Sequence, residues 1–150
     1  MHARKGVIEL MDEAKAAGIP VAVCSAATKE AVIFVLESLL GPERFSSLDL
    51  FMAGDDVPIK KPDPTIYKVA AQRLGISDPA RCVVIEDSVI GLQAALGAGM
   101  KCVITYTTST ASQDFSGATS VLEGLDGIGL SDVLLMLISA ETRKTVGLKT

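Results

Sequence analysis

The sequence predicts an α/β chain whose parallel sheet is covered by helices on both faces. Two observations carry that prediction. The strand-like runs "VAVCS" (21–25), "CVVI" (82–85) and "CVITY" (102–106) are apolar throughout, as strands buried on both sides are, and do not alternate. Helix-period segments lie between them, and helix–strand alternation of this kind builds parallel sheets. In such folds ligands gather at the carboxyl ends of the strands. Those ends are Ser25, the loop after Met52, Glu86-Asp87 and the loop after Tyr106.

Each element has its own justification. Val7, Ile8, Leu10, Met11 and Ala14 define one helical face, closed by Gly18-Ile19-Pro20. The strand at 21–25 follows. A second helix is expected from Lys29 to Leu40, with Val32, Val35, Leu36 and Leu39 on one side and Gly41-Pro42 as its stop. "LFMAG" (50–54) reads as a short strand. Asp63-Pro64 offers an N-cap and a proline at the first helical position. The helix behind it turns Ile66, Val69, Ala70 and Leu74 inward and ends at Gly75. Asp78-Pro79 marks a turn before the strand at 82–85. Ser88 or Asp87 then caps a helix that buries Leu92, Ala95 and Leu96 and ends near residues 97–99. The strand at 102–106 is the last one expected, and "TTSTASQDFSG" reads as a polar loop. Leu130, Val133, Leu134, Leu137 and Ile138 form a final amphipathic helix, with 143–150 as a frayed tail.

The bulk properties narrow the function classes. A chain of 150 residues suffices for one domain with a real core, and 49% hydrophobic with 21% charged residues is a globular composition. A net charge of −4, with no basic cluster larger than Lys60-Lys61, argues against a nucleic-acid partner. No apolar run reaches the roughly 18 residues that a membrane span requires. Cys24, Cys82 and Cys102 sit in the strand-like runs without CxxC spacing, which predicts buried free thiols and a soluble intracellular protein. The chain enters an amphipathic helix almost at once with no strand before it, a start that suits N-terminal truncation; a transit peptide would then be missing too.

Three short stretches carry the chemistry. "VVIEDSVIGL" (83–92) ends a buried strand on two adjacent carboxylates, Glu86 and Asp87. Ionised carboxylates at such a place need a cation, donors or a catalytic task to offset their desolvation. Capping by Asp87 would explain one of them; Mg²⁺, which favours a few carboxylates with water and substrate phosphate, would explain both. Ser25 leads into a helix whose exposed amides, with the hydroxyl, could seat a phosphate, or else it is a plain serine cap. In "IKKPDPTIY" (59–67) a lysine fixed by a following proline can be aimed at an anion, and Lys61 fits that better than Lys60, which reads as solvated. Because Lys61 lies on a loop, its substitution is expected to spare stability. Asp55-Asp56 read as solvated loop acids with at most a minor part in orienting Lys61. No GxxxxGK[ST] occurs and no GxGxxG follows a strand, while the single histidine, His2, leaves Ser-His-Asp and Cys-His arrangements without a base.

In this order, "VAVCSAAT", "KKPDPTIY" and "VVIEDSVIGLQAA" resemble the haloacid dehalogenase (HAD) superfamily of phosphotransferases. K-P-x-P and E-D-S-xx-G are similar to its β-phosphoglucomutase-like branch. "CSAATKEAVIF", "AGDDVPIKKPDP" and "GMKCVITYT" are closer to CbbY-like proteins, the xylulose-1,5-bisphosphate phosphatases of photosynthetic organisms. The resemblance runs from about residue 4 to about 115. It implies a Rossmann-like three-layer α/β/α HAD core and an Mg²⁺-dependent phosphatase acting on a small phosphorylated sugar through an aspartyl-phosphate. It implies that Ser25 and the Ala26 amide hold the phosphoryl group, that Lys61 neutralises its charge, and that Glu86 and Asp87 bind Mg²⁺. It also implies the chloroplast stroma as a compartment, with the cytoplasm as the alternative.

One departure is large. The family's DxDx[TV] motif, which supplies the nucleophilic aspartate and the general acid/base, is absent: Asp55-Asp56-Val57 lacks the spacer and Asp49-Leu50-Phe51 lacks the second acid. In the family that motif follows a central strand, with a helical cap after it, and the strand order is 5-4-1-2-3. The expectation is therefore a partial core over 1–150, lacking the first strand and the cap, with a gap between "VAVCS" and "CVVI" and no phosphatase turnover by this chain alone. A non-catalytic HAD-like module that binds phosphate or a protein is the second reading. A receiver-like or nucleotide-binding α/β domain would need an acceptor aspartate or a glycine-rich first turn that the chain does not have.

Overall fold

The computed structural model describes residues 1–145, with side chains to 140. The chain runs α1 (Val7–Ala16), β1 (Ala22–Cys24), α2 (Lys29–Ser47), β2 (Leu50–Met52), α3 (Thr65–Arg73), β3 (Val83–Glu86), α4 (Val89–Gly97), β4 (Lys101–Thr105), β5 (Ser120–Leu122) and α5 (Leu130–Thr145). Short 3₁₀ turns occupy Gly54–Asp56 and Pro79–Arg81.

All strand pairing is parallel, and it falls into two sheets: β1 beside β2, and β3–β4–β5. No strand pair joins β1 to β3 among the described residues, so the sheet breaks between "VAVCS" and "CVVI", where the resemblance placed a gap. The β1–β2 sheet is covered on both faces. Val23 and Phe51 pack with Ile8 and Met11 of α1 and with Val32, Leu36 and Leu40 of α2. Their neighbours Cys24, Leu50 and Met52 turn the other way, as strand periodicity requires. There they join Ile66, Tyr67, Ala70 and Ala71 of α3, Leu92 and Ala95 of α4, and Val84, Cys102 and Ile104 of the second sheet. One core therefore runs under the break, with α3 and α4 as its bridge.

Several expectations are corrected. β5 was not foreseen: Val121 points outward and the three-residue strand offers little periodicity to read. Gly41, in the left-handed region at φ 78°, breaks α2 as expected, but Pro42 starts further helical turns that reach Ser47. Proline is well suited to a helix's first turn, so the same dipeptide stops one segment and opens the next. Leu96 is 40% exposed, because it follows Leu92 by four residues but lies where α4 ends at the surface. Of the predicted α5 face only Val133 is buried; Leu134 and Ile138 face solvent. α5 continues to Thr145, and the rest of the expected frayed tail, 146–150, lies outside the described residues. The thiols are free as expected, but only Cys102 is fully buried; Cys24 and Cys82 are half-buried.

Candidate active site

Lys61 is the centre of the site. Its ammonium lies 2.9 Å from the carbonyl oxygen of Cys24 at the end of β1, 2.6 Å from Oε1 of Glu86 at the end of β3, and 2.9 Å from the Tyr67 hydroxyl on α3. One side chain thus ties the carboxyl ends of the two sheets together at the break between them. The side chains of Lys61 and Glu86 are only 8% and 13% exposed. The sequence places Lys61 on a loop, so that its loss is expected to spare stability, and it does lie on the turn before α3. Its side chain nevertheless forms half of a buried ion pair, and a buried pair that loses one partner leaves an uncompensated charge.

Glu86 is held from three sides. Tyr67 donates its hydroxyl proton to Oε1, the oxygen that also accepts from Lys61. The Asp87 amide lies 3.4 Å from Oε2. Burial, and the adjacent Glu86 carboxylate, push the Tyr67 phenol well above its ordinary range, so its proton stays in place as a donor. The third side is Gly91, where a Cβ would fall inside the Glu86 carboxylate. The glycine of E-D-S-xx-G is therefore the space in which Glu86 sits.

Ser88 caps α4, its hydroxyl accepting from the Gly91 amide at 3.3 Å. Asp87 is thus not the cap. Among the described residues its carboxylate makes no hydrogen bond or ion pair, and it faces solvent. No three His, Cys, Asp or Glu side chains converge on a point among the described residues. The available oxygen donors are the Asp87 carboxylate and Oε2 of Glu86. Mg²⁺ commonly takes one or two protein carboxylates and fills its remaining positions with water and phosphate, so this donor set fits it.

Ser25 is not a helix cap. α2 starts four residues later with Thr28 at its N-cap, and the Ser25 hydroxyl accepts from the Ala27 amide at 3.2 Å in a local turn. The amide of Ser25 is tied to the Met52 carbonyl at 2.9 Å, and Ala26 is exposed. Ser25 follows directly on the residue whose carbonyl Lys61 grips. The turn is further fixed by Gly54, whose missing side chain leaves room for the Ala26 carbonyl.

Asp55 is exposed, as a solvated loop acid is expected to be, and Asp56 is partly buried, but both also hold structure. Asp55 Oδ2 accepts from the Lys29 amide at 3.2 Å and so caps α2 from another loop. Asp56 accepts from the Ala53 amide at 2.9 Å and pairs with Lys29 at 3.4 Å, and the Ala53 bond holds its carboxyl below the usual range. Their cation is Lys29, not Lys61. Lys60 is exposed, as expected. Sequence reasoning missed Tyr67, although the signal was present: it falls six residues after Lys61, in the first turn of the helix that "PDP" starts.

A hollow of about 640 Å³ lies elsewhere, beside Lys5, Glu9, Asp126 and Asp132. Its Glu13 accepts from the Leu130 amide at 2.6 Å, its Asp132 accepts from the Gly129 amide at 2.9 Å and its Asp126 faces Lys5 at 3.8 Å, so these three acids serve the α5 entry and a surface pair.

A haloacid dehalogenase-like hydrolase family model matches residues 2–99. The chain belongs to that family. It is 60% identical over 89% of its length to a haloacid dehalogenase-like hydrolase domain-containing protein of Arabidopsis thaliana, of which it covers 42%. It is 51% identical over 80% of its length to a CBBY-like protein of the same plant, covering 37% of it. A crystal structure of a mutant CbbY from Rhodobacter sphaeroides in complex with xylulose-(1,5)bisphosphate superimposes with a TM-score of 0.82 at 36% identity, over 87% of this chain and 58% of that one. The chain thus spans about half the length of these relatives. Its Rossmann-like α/β fold with parallel strands agrees with family membership.

Proposed function

We propose that this chain supplies the phosphate- and cation-binding part of an Mg²⁺-dependent phosphatase site for small phosphorylated sugars, xylulose-1,5-bisphosphate among them. The observation that carries this is the convergence of Lys61, Glu86 and the Cys24–Ser25 turn at the break between the sheets. A buried cation beside an exposed turn with a hydroxyl and free amides is suited to a phosphoryl group, whose transfer depends mainly on positioning and charge stabilisation.

In this reading the Ser25 hydroxyl and the Ala26 amide bind phosphoryl oxygens, and Lys61 offsets their charge. Asp87 and Oε2 of Glu86 hold Mg²⁺, which when bound neutralises phosphate oxygens. Glu86 through Oε1 keeps Lys61 in place. The aspartate that would take the phosphoryl group as an acyl phosphate, releasing the sugar hydroxyl, is not among this chain's motifs. We therefore expect no turnover of p-nitrophenyl phosphate by the 150-residue chain with Mg²⁺. Hydrolysis that disappears in Asp87→Ala would overturn that part of the reading.

The missing DxDx[TV] motif favours one alternative, a non-catalytic module that binds phosphate or a protein. A longer form of the protein with Mg²⁺ separates the two: release of inorganic phosphate from a sugar bisphosphate supports the enzyme, and binding without release supports the module. No helix of the described residues is long and apolar enough to cross a membrane. We propose the chloroplast stroma as the compartment, supported by likeness to plant proteins, with the cytoplasm as the alternative.

A further inference from the structure

An ammonium carries three N–H donors and no acceptor. All three of Lys61's are matched here, by the Cys24 carbonyl, Glu86 Oε1 and the Tyr67 hydroxyl, at 2.6–2.9 Å. A fully matched lysine has no donor left for a phosphoryl oxygen. If it is to bind one, as the reading above requires, a partner must give way.

The three partners are not equivalent. Glu86 is charged and lies closest, so releasing it would separate a buried ion pair. The Cys24 carbonyl is fixed backbone at the end of β1. Tyr67 alone can yield without losing its own bond, because its hydroxyl proton is given to Glu86 Oε1. Its ring is packed in the core and 7% exposed, so the hydroxyl stays in place after the exchange.

We propose that Tyr67 is a positioning residue that occupies Lys61's third donor in the free protein and yields it to a phosphoryl oxygen, while continuing to anchor Glu86. Tyr67 touches neither the substrate nor the reacting atoms. It holds the lysine ready and lowers its affinity for phosphate, because a bond must be exchanged before one is gained. This rests on the phosphate-binding reading of the site.

The test is orthophosphate binding to the chain, followed by calorimetry and by NMR of ¹³Cζ-labelled tyrosine. The protein has two tyrosines, Tyr67 and Tyr106, so two signals are expected. In the wild type, phosphate should shift the Tyr67 signal in a saturable way, and the shift should vanish in Lys61→Met. Tyr67→Phe should bind phosphate roughly three- to tenfold more tightly, the scale of one hydrogen bond no longer exchanged. Binding that leaves the Tyr67 signal unmoved, or an unchanged or weaker phosphate affinity in a folded Tyr67→Phe, would overturn the proposal. The wild-type tyrosine signal decides the matter even if the variant fails to fold. Absence of any wild-type phosphate binding would instead overturn the reading of the site, and the proposal with it.

Discussion

The two halves of the candidate site are built in opposite ways. Around Lys61 the groups are buried, fully hydrogen-bonded and backed by packed residues: Tyr67 by the α3 core, Glu86 by the space at Gly91. Around Asp87 and Ala26 the groups are exposed and nothing in the described chain claims them. The contrast separates a part set during folding from a part left for what arrives. Buried charges must be matched while the chain folds, whereas exposed oxygens and amides can wait in water at little cost. Substitutions that break the Lys61–Glu86 pair or its seat should therefore cost stability and function together, and those in the second half should cost binding alone.

The largest effect is expected from Lys61→Met. It strands Glu86 as a buried, unpaired carboxylate and should destabilise by about 3–5 kcal/mol, read by urea denaturation. A loss under about 1 kcal/mol would make the pair energetically equivalent to a surface one and erase the contrast. Gly91→Ala comes next. Its methyl would displace the Glu86 carboxylate, with an expected cost of about 1–3 kcal/mol and a phosphate affinity that falls in step. Wild-type phosphate binding in this variant would show that Glu86's seat is not what sets Lys61.

Smaller again is Asp87→Asn. Stability should change by less than about 0.5 kcal/mol, as for an exposed residue without partners, while Mg²⁺ binding followed by calorimetry is lost. Undiminished Mg²⁺ affinity would place the cation elsewhere. The mildest probe is thiol chemistry. Burial raises the Cys24 thiol to about 11 and Cys102 to about 12, so both should resist iodoacetamide at pH 8. Cys82, half-buried at the sheet edge, should react first in the folded protein, with all three reacting in urea. Prompt labelling of Cys24 would mean that the Lys61 end of β1 opens readily.

Much of this arrangement was legible in the residues. Apolar strands and capped helices announced a parallel α/β fold, and Lys61, Glu86 and the end of β1 were each singled out by local chemistry. Local chemistry also misled where the partner came from far away in sequence. Asp55 and Asp56 look like solvated turn acids until α2's first amide and Lys29 are folded against them. Lys61 does lie on a loop, but nothing within a few positions shows that Tyr67 and Glu86 will enclose its ammonium. Tyr67 is not among the inward residues that the helical period selects (Ile66, Val69, Ala70 and Leu74), and its hydroxyl answers to neighbours other than those of its ring. The role of Gly91 was invisible for a related reason. A glycine reserved for a carboxylate five residues earlier cannot be told from one in a helix that tolerates it.

The proposed function depends above all on the Cys24–Ser25 turn and Lys61 forming an anion seat. The most direct measurement is an amide and lysine NMR titration of the chain with orthophosphate. Saturable shifts confined to Ser25, Ala26, Ala27 and the Lys61 ammonium are the predicted result. Absence of binding, or shifts centred on Lys5 and the α5 entry near Leu130, would contradict it.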